Sequence, residues 1–209
     1  MCRDHVTYLL LTTALLLTLS ACATLNQAEC QQANWHTIGF EDGAKGELPS
    51  RIGRHRKACA KHGVSPDLAA YQAGHSDGLS QFCTELNGFS RGRAGWSDNG
   101  VCSPALYPQF EVGYRKGAEL HAAKEALSRA KAALASHERD LDRIDKQIVT
   151  TEQQIVSADT LESKRHKLLS KLKKLQRRHA NLESELPYLR HEIDDKAFYY
   201  NDLRRRYAY

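Results

Sequence analysis

The sequence predicts an all-α fold, with a small disulfide-linked helical head whose helices pack through glycines and a long antiparallel helical hairpin (coiled coil) after it. Two observations support this fold class. The part of the chain before residue 118 is rich in glycine, with pairs spaced four apart, and contains all six cysteines. After residue 118 there is no Gly and no Cys, and Leu, Lys, Arg, Glu and Asp dominate, a composition typical of long helices.

The N-terminus predicts export. Val6 to Leu19 form an apolar run that suits a signal-peptide core but is shorter than the roughly 20 residues of a membrane-spanning helix. The run ends in Leu19-Ser20-Ala21-Cys22, which resembles the bacterial lipobox, whose cysteine thiol receives diacylglycerol. The resemblance implies cleavage after residue 21, lipidation of Cys22 (diacylglycerol, then palmitate) and, because Ala23 follows, an outer-membrane anchor facing the periplasm. The alternatives are an ordinary secretory signal and an uncleaved anchor.

Four cysteines remain in the expected mature chain once Cys2 leaves with the signal and Cys22 is lipidated. They are Cys30, Cys59, Cys83 and Cys102. An even number in an oxidising compartment predicts two disulfides, which would offset the limited core of a small head. Four cysteines allow three pairings, and the sequence does not choose among them. Of the three we favour Cys30–Cys59 with Cys83–Cys102.

Capping residues and helix breakers divide the head into helices. Trp35 to Gly43 is expected to be helical, up to the break "GELPS". Further helices are expected from Ser50 to His62, from Ser65-Pro66 to about Cys83, and after Ser103-Pro104. The segment "NGFSRGRAGWSDNG" is expected to be a glycine-rich loop.

Three of these segments carry an aromatic residue followed by two glycines four apart: Trp35 with Gly39 and Gly43, Tyr71 with Gly74 and Gly78, and Phe110 with Gly113 and Gly117. Glycine inside a helix costs about 1 kcal/mol relative to alanine. Since residues four apart share a face, the pairs predict helices that cross at close range. A ligand groove lined by bare backbone is the alternative use.

Together, "NWHTIGFEDGAKG", "RHRKACAKHGVSPDLAAYQAGHSDGLSQFC" and "GVCSPALYPQFEVGYRKG" resemble the DUF2799 domain, a family of bacterial lipoproteins of unknown function. The resemblance covers about residues 30 to 118. The family has Asp-Trp-Tyr where this chain has Asn34-Trp35-His36. It implies location and domain extent, and no established activity.

The candidate chemistry is weaker than the structural signals. His55, Cys59 and His62 share one helix face and have spacing that suits zinc, but a disulfide is the favoured use of Cys59, so we predict no metal and no cofactor. Asp42 and Asp77 each precede the second glycine of a pair, which indicates a structural role, and Asp67 suits a helix N-terminus. We find no catalytic residues. The basic helix with Arg51, Arg54, Arg56, Lys57 and Lys61 is expected to be a solvated face, or alternatively a surface for anionic lipid or peptidoglycan.

Heptad spacing governs the second half. One leucine and isoleucine series steps by seven from Leu120 to Ile155, and another runs from Leu161 to Leu189, but Leu161 is only six residues past Ile155. An antiparallel hairpin folded about residue 158 explains this change of phase. The fold would place Ile155 against Leu161 and Leu127 against Leu189.

Charge supports the same hairpin. The basic run from Lys164 to Arg178 is expected to face acidic residues of the first helix (Glu138, Asp140, Asp142, Asp145 and Glu152), and His137 to meet His179 in a layer that acid loosens. Pro187 is expected to kink or end the regular helix. The tail "AFYYNDLRRRYAY" is expected to pack back on the hairpin base, with binding of a partner as the alternative use.

Four segments follow: a lipoprotein signal peptide at 1–21, a lipidated N-terminus and linker at 22–33, the head at 34–118, and the hairpin with its aromatic and basic tail at 119–209. We expect a non-catalytic, membrane-anchored periplasmic lipoprotein with a structural, adaptor or envelope-interaction role. Its partners would be the membrane through the N-terminal lipid, and an envelope protein, peptidoglycan or anionic lipid, with no nucleic acid. The alternative is a small-ligand-binding lipoprotein that uses the glycine-lined head.

Overall fold

The computed structural model describes residues 25–208, and these are about 80% helical without strands, as the fold class predicted. Seven α-helices follow in order: α1 (Gln27–Gln31), α2 (Trp35–Lys45), α3 (Ile52–Ala60), α4 (Leu68–Phe82), α5 (Glu85–Arg93), α6 (Tyr107–Val156) and α7 (Glu162–Arg206). A short 3-10 turn, Pro49–Arg51, precedes α3. None of the described helices is apolar over a long enough stretch to cross a membrane.

Two compact units divide the chain. Among the described residues, the first contains residues 25–88 together with Ser97–Gly113, and the second contains Phe89–Trp96 together with residues 114–208. Helices α5 and α6 each contribute residues to both units. The predicted boundary at residue 118 falls inside α6.

The first unit has a core of Cys30, Trp35, Cys59 and Tyr71, with Ile38 and Ile52 packed at its edge. Its disulfides join Cys30 to Cys59 and Cys83 to Cys102, which confirms the favoured pairing. These bonds hold α1 against α3 and close the end of α4 onto the segment before α6.

Helix starts in the first unit differ from prediction in two places. Ser50 does not cap α3, because Pro49 takes the first position of the 3-10 turn and the chain passes into α3 without a side-chain cap. Asp67, rather than Ser65, caps α4, since its carboxylate accepts a 3.0 Å hydrogen bond from the Ala70 amide.

Helix ends follow the glycine signals. Gly46 ends α2 in the left-handed conformation, at φ 74°, and Gly63 follows α3 with φ 69°.

The start of α6 lies a few residues after the predicted signal. After Ser103-Pro104 the chain first makes a turn, in which the Tyr107 amide donates to the Ser103 carbonyl, and α6 begins at Tyr107.

The predicted loop "NGFSRGRAGWSDNG" is wrong in its first half, which belongs to α5, and right in its second half. Thr84 starts this helix by accepting a 3.2 Å hydrogen bond from the Asn87 amide. Gly92 lies against the backbone of α6: a Cβ built on it would be 2.2 Å from the Tyr114 carbonyl oxygen. Gly92 therefore serves close helix contact inside the second unit, whereas Gly95 and Gly100, with φ of 75° and 68°, lie in the turn and loop that follow α5.

Helices α6 and α7 form the predicted antiparallel hairpin, joined by residues 157–161. Its register, however, is one heptad away from the prediction. Leu120 packs with Leu203, whereas folding about residue 158 pairs Leu120 with residue 196, seven positions earlier. Leu161, predicted to meet Ile155, is the N-cap of α7 and is exposed.

The register changes the polar pairs of the hairpin. The predicted His137–His179 layer is wrong: His137 Nε2 lies 2.8 Å from Glu185, and His179 Nε2 lies 3.1 Å from Asp145. The predicted pairing of Asp140 and Asp142 with the basic run is also wrong, since they pair within α6, with Arg143 and Lys146.

Two features complete α7. It does not end at Pro187 but runs on to Arg206, with Leu189 and Leu203 buried beyond the proline. The tail packs back on the hairpin base, as predicted, where Leu203 joins Phe89, Leu120 and Ala123 in one cluster.

Candidate functional site

A buried carboxylate in the first unit carries the main candidate site. Asp42 of α2 is 6% exposed, and its Oδ2 accepts two hydrogen bonds of 2.8 Å, one from the Tyr71 hydroxyl and one from Nε2 of His55. His55 belongs to α3 and Tyr71 to α4, so one oxygen joins three helices. Both partners are buried as well.

The fold positions each of these side chains. Asp42 directly precedes Gly43, where α2 and α4 touch backbone to backbone, so its carboxylate reaches Tyr71 on the neighbouring helix. His55 lies one turn before Cys59, whose disulfide to Cys30 anchors α3. The crossing and the disulfide thus bring the three groups together.

The electrostatics keep the site as an ionised carboxylate with a neutral phenol. Burial alone would raise the pKa of Asp42, but the hydrogen bonds from His55 and Tyr71 outweigh it, and the pKa is lowered. Burial, followed by the hydrogen bond to Asp42, raises the pKa of the Tyr71 hydroxyl. An ionised carboxylate only accepts, so Nε2 of His55 carries the proton that it donates.

The other nitrogen of His55, Nδ1, is buried and has no hydrogen-bond partner. A carboxylate behind an imidazole is the arrangement that orients a catalytic base. Here the imidazole presents its second nitrogen to the interior, and Asp42, His55 and Tyr71 are each at most 6% exposed. A reaction on an outside substrate needs access that these side chains do not have, so the cluster acts as a lock between helices.

A fourth buried polar group extends this lock. His75 of α4 is stacked on Tyr71, with 6.0 Å between ring centroids, and its Nε2 lies 2.7 Å from the Glu47 carbonyl oxygen. Glu47 follows the glycine that ends α2, so this contact holds the segment between α2 and the 3-10 turn against α4.

The crossing of α2 and α4 has an internal two-fold relation. A Cβ on Gly39 would lie 2.1 Å from the Tyr71 carbonyl oxygen, and one on Gly74 would lie 1.9 Å from that of His36. Residues 36 and 39 correspond to residues 71 and 74 by a shift of 35. The same shift relates Asp42–Tyr71 to the exposed pair Asp77–His36, whose oxygen and nitrogen are 3.0 Å apart.

All four glycines of this crossing lie against the backbone of the opposing helix. A Cβ built on any of them would be at most 2.2 Å from a backbone atom of that helix; the four are Gly39, Gly43, Gly74 and Gly78. The opposing helix fills the space that a glycine-lined ligand groove would need. The glycines therefore serve helix contact, which was the favoured use.

The other sequence-predicted groups are placed as follows. Cys22 lies outside the described residues. The zinc hypothesis for His55, Cys59 and His62 is wrong, since Cys59 is in a disulfide and His55 binds Asp42. No metal-type cluster occurs among residues 25–208.

The link of His55 and Tyr71 to Asp42 was not among the features predicted from the sequence. The usable signal was the repeated Asp-Gly at residues 42–43 and 77–78, each preceded six residues before its Asp by His or Tyr. That signal was interpreted as structural without a partner being named.

In the second unit, Glu119 of α6 fastens the C-terminal tail. Its two carboxylate oxygens accept from the Tyr199 hydroxyl at 2.7 Å and from the Tyr207 hydroxyl at 2.6 Å. The hydrogen bonds from Tyr207 and then Tyr199 lower the pKa of Glu119. The tail tyrosines therefore have a structural use at the hairpin base.

Residues 34–119, less than half of the 209-residue chain, match the family model described as protein of unknown function (DUF2799). The match confirms the resemblance for this segment. No curated protein and no solved structure matches the chain.

Proposed function

We propose that this chain is a non-catalytic lipoprotein of the bacterial envelope, anchored to the outer membrane through Cys22 and facing the periplasm, where it serves as an adaptor or spacer. The observation that carries the adaptor role is the α6–α7 hairpin. Its second helix alone has 45 residues, about 68 Å at 1.5 Å per residue.

The hairpin suits contact with a partner because its two helices pack through a narrow row of buried side chains, which leaves their other faces charged and exposed. Side chains such as Ile144, Leu168 and Leu189 are buried between the helices, while most Lys, Arg, Asp and Glu positions face solvent. A helical surface of this length with patterned charge favours binding over catalysis. The inaccessibility of Asp42 and His55 supports the non-catalytic assignment.

Lipid attachment is tested by metabolic labelling with palmitate in a Gram-negative host. We expect label on the wild-type protein and none on Cys22→Ser. Cys2→Ser is the matched control, because it removes another cysteine of the leader and should keep the label. Palmitate retained by Cys22→Ser contradicts the anchor.

The adaptor role is tested by crosslinking in intact cells and purification of the lipoprotein from envelopes. A discrete envelope protein or glycan should be recovered, and the charge reversal Lys173→Glu with Lys174→Glu should reduce its yield, since both lysines are exposed. Arg56→Glu with Lys57→Glu makes the same charge change on α3 and should leave the yield unchanged. No recovered partner, or an equal loss with both variants, contradicts a role of the hairpin surface.

The second candidate is a small-ligand-binding head. A surface cavity of about 200 Å³ in the first unit is lined by Glu47, Leu48, Ser50, Arg51, Arg54 and Asn99. Arg51 is paired with Glu47 at 3.6 Å, and the guanidinium group of Arg54 favours a small anion. Mass spectrometry of the native protein, and a rise in melting temperature with added phosphorylated or carboxylated compounds, test this function. No bound compound and no shift in melting temperature would argue against it.

A further inference from the structure

Two aliphatic side chains at the tip of the hairpin lie in water. Val156, the last residue of α6, is 80% exposed, and Leu161, which precedes the first residue of α7, is 74% exposed. Val149, two turns before Val156 on the same face of α6, is also exposed. The buried seam of the hairpin, which includes Thr151 and Leu168, does not use these side chains.

The backbone of the tip is fixed, so the exposure is built into the turn. The Thr160 amide donates to the Ser157 carbonyl, and the Thr160 hydroxyl donates to the Gln154 carbonyl at 2.7 Å. Arg165 reaches back from α7 and donates to the Ser157 carbonyl at 3.1 Å. These contacts hold Val156 and Leu161 on the outside of an ordered turn.

Leu161 also occupies a position where leucine weakens the fold. It is the N-cap of α7 and supplies no side-chain hydrogen bond to the first turn. Ser, Thr, Asp and Asn are favoured at this position because their oxygen accepts from a free backbone amide. A leucine that neither caps the helix nor packs in the core breaks two local rules, and such exceptions concentrate at functional positions.

The charge beside the tip is mostly positive. Residues 163–182 contain eight Lys and Arg and no Asp or Glu, and seven of the eight are exposed. The acidic groups near the turn are Glu152, Asp159 and Glu162. Residues 149–178 therefore carry eight positive and three negative charges, a balance of +5.

We propose that the hairpin tip, residues 156–171, binds the surface of an anionic phospholipid bilayer. Val156 and Leu161 enter the headgroup boundary, while the lysines of α7 lie against the lipid phosphates. This combination of a small apolar element and a basic flank is what interfacial binding needs. It is too small for a protein interface, which buries about 800 Å² on each partner.

The inference names one partner for the envelope-binding role proposed above, and it is tested without the lipid anchor. The protein used is residues 22–209 with Cys22→Ser, which includes every residue that the structure describes. Vesicles of phosphatidylethanolamine with phosphatidylglycerol are compared with vesicles of phosphatidylcholine in a sedimentation assay. We expect at least about tenfold stronger binding to the anionic vesicles, declining with added salt.

Two variants of the tip separate the apolar and the basic contributions. Leu161→Ser should lower anionic-vesicle binding about tenfold. The same substitution should leave the melting temperature unchanged or raise it, since serine supplies the missing cap. Lys164→Gln, Lys167→Gln and Lys171→Gln together should lower binding on the order of a hundredfold.

Arg56→Gln, Lys57→Gln and Lys61→Gln together are the matched control, since they remove the same charge from exposed positions of α3 and its C-terminal end. This control should retain most of the binding. Equal binding to both vesicle types, an equal loss with the control, or a Leu161→Ser protein that melts lower overturns the proposal. Because the assayed protein lacks Cys22, its failure to bind vesicles would overturn the proposal for the tip and would not bear on the lipid anchor, which the palmitate labelling tests.

Discussion

Substituting alanine for Gly74 tests the helix crossing most directly. The Cβ that alanine adds would lie 1.9 Å from the carbonyl oxygen of His36, whereas ordinary contacts begin near 3.4 Å. The two helices must therefore separate locally by about 1.5 Å. The contact is with backbone, so no side-chain rotation relieves it.

The net effect on stability has three contributions. Overpacking of this kind costs about 1–3 kcal/mol, and sometimes more. Separation of α2 from α4 weakens the hydrogen bond from Tyr71 to the Asp42 carboxylate, whose class contributes about 1.5–3 kcal/mol. Alanine regains about 1 kcal/mol of helix propensity. We expect Gly74→Ala to lower the free energy of unfolding of the first unit by about 2–4 kcal/mol.

Urea denaturation with the disulfides intact measures this change, and the fluorescence of Trp35 reports on the unit because this residue is buried in its core. Gly53 of α3 provides a control of opposite sign: a Cβ built there meets nothing within 4 Å, so Gly53→Ala should stabilise by about 0.5–1 kcal/mol. A Gly74→Ala protein as stable as wild type would refute the argument that these glycines exist for backbone contact.

Three further predictions concern the polar contacts and the disulfides. The hydrogen bond to Glu185, followed by that to the Ala133 carbonyl, raises the pKa of His137. The stability that protonated His137 adds to the hairpin is therefore present below the pKa of the unfolded state and is lost as the pH rises through the folded-state pKa. Thermal melts should show a hairpin more stable at pH 6 than at pH 8, with a smaller difference in His137→Gln. Tyr71→Phe should destabilise the first unit by about 1–3 kcal/mol in urea, because Asp42 keeps its burial and loses a donor, and an unchanged midpoint would contradict the lock. Cys59→Ser should cost about 3.5 kcal/mol for a sequence separation of 29 residues, measured by urea denaturation against wild type, and a loss under 1 kcal/mol would show that packing alone holds α3.

Heptad spacing predicted the hairpin but not its register. A shift of seven residues returns every leucine to an equivalent seam position, so the pattern that pairs Leu120 with residue 196 also permits Leu203. The loop and the tail decide between them, through Leu161 at the N-cap and the two tyrosines on Glu119. The acid-labile histidine layer was wrong for the same reason, since it depended on the register.

Local signals placed most helices of the head, and errors arose where tertiary contact overrode them. Glycines 88 and 92 indicated a loop, yet Gly92 lies inside α5, against the backbone of α6. The Asp42 cluster joins three helices through His55 and Tyr71, which are 13 and 29 residues from Asp42 in the chain, and no local spacing encodes such a contact. The even number of cysteines did predict two disulfides, because it depends on compartment and not on geometry.

The placement of the cysteines sets an order of maturation. All four paired cysteines belong to the first unit, while the residues of the second unit include none. The hairpin can therefore reach its native packing with thiols still reduced, whereas the cysteine-bearing unit gains its full stability only after oxidation. A reductant should accordingly lower the stability of the cysteine-bearing unit and leave the stability of the hairpin unit unchanged.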